Sequence, residues 1–142
     1  LLDSMQNPII IELEKNKAIT SERDLEITIL VKLQMFFSQL GEGFALIDNQ
    51  YKISYNNKNY YIDILLFNYK LNCFFAVELK LRELRKEDKA QIEFYMKLID
   101  EQLKEPIHNK TIGIIISKKQ EQCIANFIRS ETIIPLTYKI KQ

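Results

Sequence analysis

The stretch from Tyr61 to Lys80 constrains this chain more than any other. It reads YIDILLF, then Asn68-Tyr69-Lys70-Leu71-Asn72, then CFFAVELK. Two apolar runs of strand length flank a short polar link, the pattern of a β-hairpin. If the hairpin closes between Asn68 and Cys73, counting outward sets Asp63 opposite Glu78. Glu78 and Lys80 are two residues apart, so they share one face of their strand. Three charged groups then converge on one face of a mostly apolar sheet. Burying charge is costly unless the charges are paired or bind a metal. That cost marks the stretch as a candidate site.

The flanking sequence supplies the rest of a fold. Ser21 and Asp24 resemble a capping box, and apolar residues recur at helical spacing from there to Leu40 (Leu25, Ile29, Leu33, Phe36). One helix is expected, stopped by Gly41 and Gly43. Glu26 shares its inward stripe with Leu30, Leu33 and Phe37. It is either a rim residue or a third carboxylate near the site. Strands are expected over 44–53, 58–67 and 73–81, with a turn at Asn56-Asn57, giving an antiparallel meander. A helix follows from about Lys86 to Lys104. On it, Gln91 and Tyr95 are one turn apart on one face. TIGIIIS, residues 111–117, reads as a central strand buried on both faces. A third helix over 120–129 and an edge strand over 133–140, starting near Pro135, complete the order. Leu1 to Ala18 is ambiguous, with Ile9 to Glu14 either a short helix or a strand. It is expected to be a leader or the remnant of an upstream linker, leaving 19–142 as the domain. The expected architecture is α/β: a mixed sheet with helices on both faces.

Composition narrows the function. The chain has 142 residues, 46% hydrophobic and 27% charged, with a net charge of +1. That is enough chain for one core and shows no bulk electrostatic pull toward nucleic acid. A nucleic-acid surface would be a local patch: Lys80, Arg82, Arg85, Lys86 and Lys89 after the third strand, and Lys118-Lys119 after the fourth. Acidic residues interleave with the first group, so an ordinary solvated surface accounts for much of it. Cys73 and Cys123 have no paired spacing, which fits a reducing cytoplasm rather than a disulfide framework. No apolar run is long enough for a membrane helix. His108 is the sole histidine, which leaves Ser-His or Cys-His nucleophilic catalysis without support. Two carboxylates facing one another across strands instead make a hard oxygen site suited to Mg²⁺ or Mn²⁺. Any single Asp-Lys or Glu-Lys pair here would read as structural; all three together favour a site.

In this order of elements the chain resembles the PD-(D/E)XK nuclease superfamily, with Asp63 followed by Glu78-Leu79-Lys80 as the motif and QxxxY at Gln91 and Tyr95. The closer resemblance is to the C-terminal nuclease domain of YhcG-type bacterial proteins. It is carried by residues 40–50, 60–80, 91–95 and 111–116. It implies a restriction-endonuclease-like core of order α-βββ-α-β. It implies Mg²⁺ (or Mn²⁺) bound by Asp63, Glu78 and the Leu79 carbonyl, and a catalytic set of Glu26, Asp63, Glu78, Lys80, Gln91 and Tyr95. Gln50 also matches, with no role attached. DNA is the implied partner, and a homodimer is left open. A binding or assembly module that keeps the fold without hydrolysis is the alternative. Ile62 stands where the superfamily commonly has proline. Family members usually carry an N-terminal helical domain, which is expected to be missing here and to hold part of the substrate targeting.

Overall fold

The computed structural model describes residues 2–142. Its elements are β1 (Ile9–Glu12), α1 (Glu22–Val31), α2 (Leu33–Leu40), β2 (Phe44–Tyr55), β3 (Lys58–Asn68), β4 (Cys73–Glu83), α3 (Glu87–Gln102), β5 (Ile112–Lys119), α4 (Gln122–Ile128) and β6 (Ile133–Lys141). A short 3-10 turn, Leu2–Ser4, precedes them. The strands form one mixed sheet in the order β1-β6-β5-β4-β3-β2. β2, β3 and β4 are an antiparallel meander. β4, β5, β6 and β1 run parallel to one another. Each parallel join between β4, β5 and β6 passes through a helix, as a parallel crossover requires.

The hairpin register is the one counted from the sequence, with Asn68 opposite Cys73 and Ile64 opposite Val77. Asn68 is fully buried, yet its side chain is satisfied. It donates to the Glu42 carbonyl and accepts from the Lys70 and Leu71 N–H groups. This asparagine therefore closes the link from inside. At the other hairpin, Asn56 and Asn57 both adopt positive φ (52° and 63°), as a tight two-residue turn demands.

Alternation along β4 assigns its faces. Phe75, Val77 and Leu79 pack with Leu25, Ile29, Phe36 and Leu40 of α1 and α2. Phe74 and Ala76 pack with Ile92, Leu98 and Ile99 of α3 and Ile128 of α4. Glu78 and Lys80 share the parity of Phe74 and Ala76, so they belong to the α3 face. α3 approaches β5 closely at Gly113. A Cβ there would lie 2.6 Å from Ile92 Cγ1 and 2.7 Å from Met96 Sδ.

Two expectations change and one open alternative is settled. The helix expected from Ser21 to Leu40 is two, interrupted at Lys32, which leaves helical geometry (φ −116°, ψ 51°). The first half is rich in β-branched residues, and Thr28 Oγ1 bonds back to the Asp24 carbonyl, which bends a helix. β6 is an interior strand rather than an edge, because β1 pairs along Tyr138–Lys141. Pro135 lies before that paired segment, where β6 has a neighbour on one side only. Residues 9–12, ambiguous in sequence, are a strand, and Ile9 and Ile11 are buried in the core. No helix among the described residues is long and apolar enough to cross a membrane.

Candidate active site

The paired ladder between β3 and β4 ends at Ile64 and Val77, although both strands continue. Beyond that point the carboxylates replace the ladder. The Asp63 N–H donates to Glu78 Oε2 at 2.9 Å, and the Leu79 N–H donates to Asp63 Oδ2 at 2.8 Å. Each acid thus takes a backbone donor from the opposite strand. The regular backbone pairing stops there.

Glu78 is 4% exposed, and Asp63 is half-buried. Neither forms a salt bridge among the described residues. Burial and the neighbouring Asp63 carboxylate push Glu78 well above the usual carboxylate range. Burial raises Asp63 too, with a smaller push from Glu26, against the Leu79 N–H and Gln50 bonds that favour its ionised form. Lys80 favours the ionised form of both without forming an ion pair, and two adjacent acids left so are the donor set that a hard divalent cation would satisfy. The residues present therefore fit such an ion, with the Leu79 carbonyl next along the chain as a further oxygen. Among the described residues no three His, Cys, Asp or Glu side chains converge into a ready-made metal cluster.

Glu26 enters from α1, 2% exposed. It is tied to Asp63 through one amide: Gln50 Nε2 donates to Glu26 Oε1 and, at 3.0 Å, to Asp63 Oδ1. Arg23 pairs with Glu26 Oε2 at 2.5 Å, and Asn49 Nδ2 lies 3.4 Å from the same oxygen. Gln50 has φ 48°, and the β2–β3 register slips between Leu46 and Asp48. Gln50 itself is exposed, and with this bulge and left-handed backbone its amide lies on Glu26 and Asp63. Local sequence carries no signal for this; only the family pattern singled out Gln50.

On the α3 side, Lys80 Nζ donates to Gln91 Oε1 at 2.7 Å. Lys80 makes no salt bridge with Asp63 or Glu78. Tyr95, one turn beyond Gln91, is 8% exposed, and burial with the nearby Glu78 and Asp63 charges pushes its phenol up to about 12. It remains a neutral hydroxyl at physiological pH.

The basic residues part company. Arg82 forms a two-pronged pair with the buried Asp88, at 2.7 and 3.0 Å, and Asp88 also accepts from the Arg85 N–H at 2.9 Å. Lys89 lies 4.5 Å from the centre of the Phe127 ring. Arg85, Lys86, Lys118 and Lys119 are exposed. Glu83 is in register with Lys119, which brings the end of β5 alongside the end of β4. Sequence reasoning missed Asn49, Arg23 and Asp88, whose roles depend on contacts between elements, and Glu22, whose carboxylate accepts from the Leu81 N–H at 3.2 Å.

Comparison with known proteins bears on the fold and the family. The chain is 24% identical over 141 residues to the YhcG protein of Escherichia coli (strain K12), covering 97% of this chain and 38% of that protein. Among solved structures it resembles a repair endonuclease from Pyrococcus abyssi (TM-score 0.56, 16% identity, 89% of this chain and 49% of that one). It also resembles EndoMS in complex with dsDNA (TM-score 0.58, 14% identity, 92% and 49%). The chain thus spans about half the length of those structures, and at that identity the likeness concerns the fold. The match to the YhcG PDDEXK nuclease domain family runs over residues 2–139, nearly the whole sequence, and the chain belongs to that family.

Proposed function

We infer that this domain is a divalent-metal-dependent nuclease that hydrolyses phosphodiester bonds in DNA. The observation that carries the reading is the Asp63–Glu78 pair, two desolvated acids with no salt-bridge partner among the described residues, where the β3–β4 ladder ends. Asp63, Glu78 and the Leu79 carbonyl hold Mg²⁺ or Mn²⁺. When bound, such an ion offsets charge on the scissile phosphate and makes a water more acidic. Lys80 orients the attacking water or steadies charge building on the phosphate oxygens, and Gln91 holds its ammonium in place. Tyr95 contributes a neutral hydroxyl beside the acids. Arg85, Lys86, Lys118 and Lys119 contact backbone phosphates, while Arg82 and Lys89 are engaged within the protein. The neighbour in complex with dsDNA supports DNA as the substrate class. The cysteine usage fits action in the cytoplasm.

The test is a cleavage assay on single-stranded, double-stranded and branched DNA with Mg²⁺, Mn²⁺ or EDTA, on wild type and Lys80→Ala. Metal-dependent cleavage is expected. The variant should turn over about 10²-fold more slowly or worse, the range for a positioned catalytic group. Its DNA affinity should change little, because one phosphate contact among several is a modest loss. A wild type that binds DNA but never cleaves it with either metal would leave the non-catalytic binding module as the correct reading.

A further inference from the structure

Gln50 reaches two carboxylates that come from different elements. Its side chain projects from the edge strand β2, and its single amide nitrogen donates to Glu26 of α1 and to Asp63 of β3. With the Leu79 N–H on the other oxygen of Asp63, both oxygens of that acid are held in place. Nothing else among the described residues hydrogen-bonds to both acids. The backbone has bent to allow this, since a non-glycine residue at φ 48° is uncommon, and the register slip just upstream turns the strand to suit.

We propose that Gln50 is a positioning residue that fixes Asp63 as a metal ligand and couples it to Glu26 on the first helix. This rests on the nuclease reading above, with Asp63 as a ligand of a divalent cation. Its chemistry suits the task. A neutral amide can hydrogen-bond to two neighbouring acids and hold them together without competing with the cation as a counter-charge would. Residues that orient metal ligands in this way typically affect both metal affinity and turnover.

The test uses Gln50→Asn. Asparagine tolerates the left-handed backbone, so the loop keeps its shape, but the amide is one methylene too short to reach both acids. Gln50→Gly, equally at ease at positive φ, is the second variant. Mn²⁺ is titrated by calorimetry into wild type and both variants, with thermal melting and steady-state cleavage alongside. Both variants should melt as the wild type does and bind Mn²⁺ about 10-fold more weakly, the lower end of the range for such partners. Their kcat should fall while KM holds. In combination with Glu26→Gln, Gln50→Asn should cost less than the sum of the two single effects, because the two residues act through one link. Unchanged Mn²⁺ affinity in both variants would overturn the proposal, as would early melting of both, which would make Gln50 a structural residue. A wild type that binds Mn²⁺ without cleaving would sink the nuclease reading alone, because the titration still decides the role of Gln50. A wild type that binds no Mn²⁺ would overturn both.

Discussion

Glu78 is the residue whose charge the fold tolerates least. In the unfolded chain a glutamate ionises near its ordinary value of 4.5, whereas burial and Asp63 hold the folded carboxyl protonated to a well higher pH. Between those two points the folded state binds the extra proton, so its stability declines as pH rises from the unfolded value through the folded one. Asp63, raised in the same direction, adds to the trend. Asp88, lowered by Arg82 and the Arg85 N–H, works the other way at acid pH. The contribution of Glu78 is isolated by comparing wild type with Glu78→Gln in EDTA. The expected outcome is a variant that gains stability relative to wild type as pH rises toward neutrality, read from melting curves across pH. Parallel curves would show that Glu78 titrates as it does in the unfolded chain. Sequence located this residue, but its protonation preference could not be read there, because desolvation depends on what packs above it.

At the scale of elements, the join between β4 and α3 sets the site's geometry. Lys80 and Arg82, on one face of β4, meet Gln91 and Asp88, one turn apart on α3. The Arg82–Asp88 pair therefore fixes where α3 begins, and with it where Gln91 meets Lys80. Asp88→Asn keeps the shape of the side chain but leaves the guanidinium without its counter-charge. A loss of about 1.5–3 kcal/mol is expected, the range for hydrogen bonds to charged groups. Urea unfolding measures it, and a change within experimental error would mean that α3 is held by its apolar face alone. Read as sequence, Arg82 belonged to a basic run, and nothing local distinguished it from Arg85 or Lys86. Its partner is six residues on, across a strand-to-helix turn whose direction the sequence does not show.

Across the whole molecule, the parallel half of the sheet depends on its first strand. β1 pairs with β6, Ile9 and Ile11 enter the core, and Gln39 of α2 both donates to and accepts from the Ile10 backbone. Asn7 Oδ1 accepts from Thr137 as well. Removing residues 1–18 should destabilise the domain by roughly 3–6 kcal/mol from the two isoleucines alone, at about 1.5–3 kcal/mol for each buried side chain. Thermal melting of the shortened chain tests this. A melting temperature equal to that of the full chain would return the segment to the role of leader or linker.

Period and parity were legible in the sequence. Two strand-length apolar runs joined by a short polar link set the register of β3 and β4, because counting outward from a closure between Asn68 and Cys73 fixes every facing pair. That alone brought Asp63 opposite Glu78 and put Lys80 on the same face. Helical spacing likewise turned Glu26 inward. Tertiary structure decided what has no local period. It ended the ladder at Ile64 and Val77, made β6 an interior strand and brought Gln50 between two acids. Those outcomes come from contacts between residues far apart in the chain, whose energies depend on how the elements pack together, and no window of neighbouring residues encodes them.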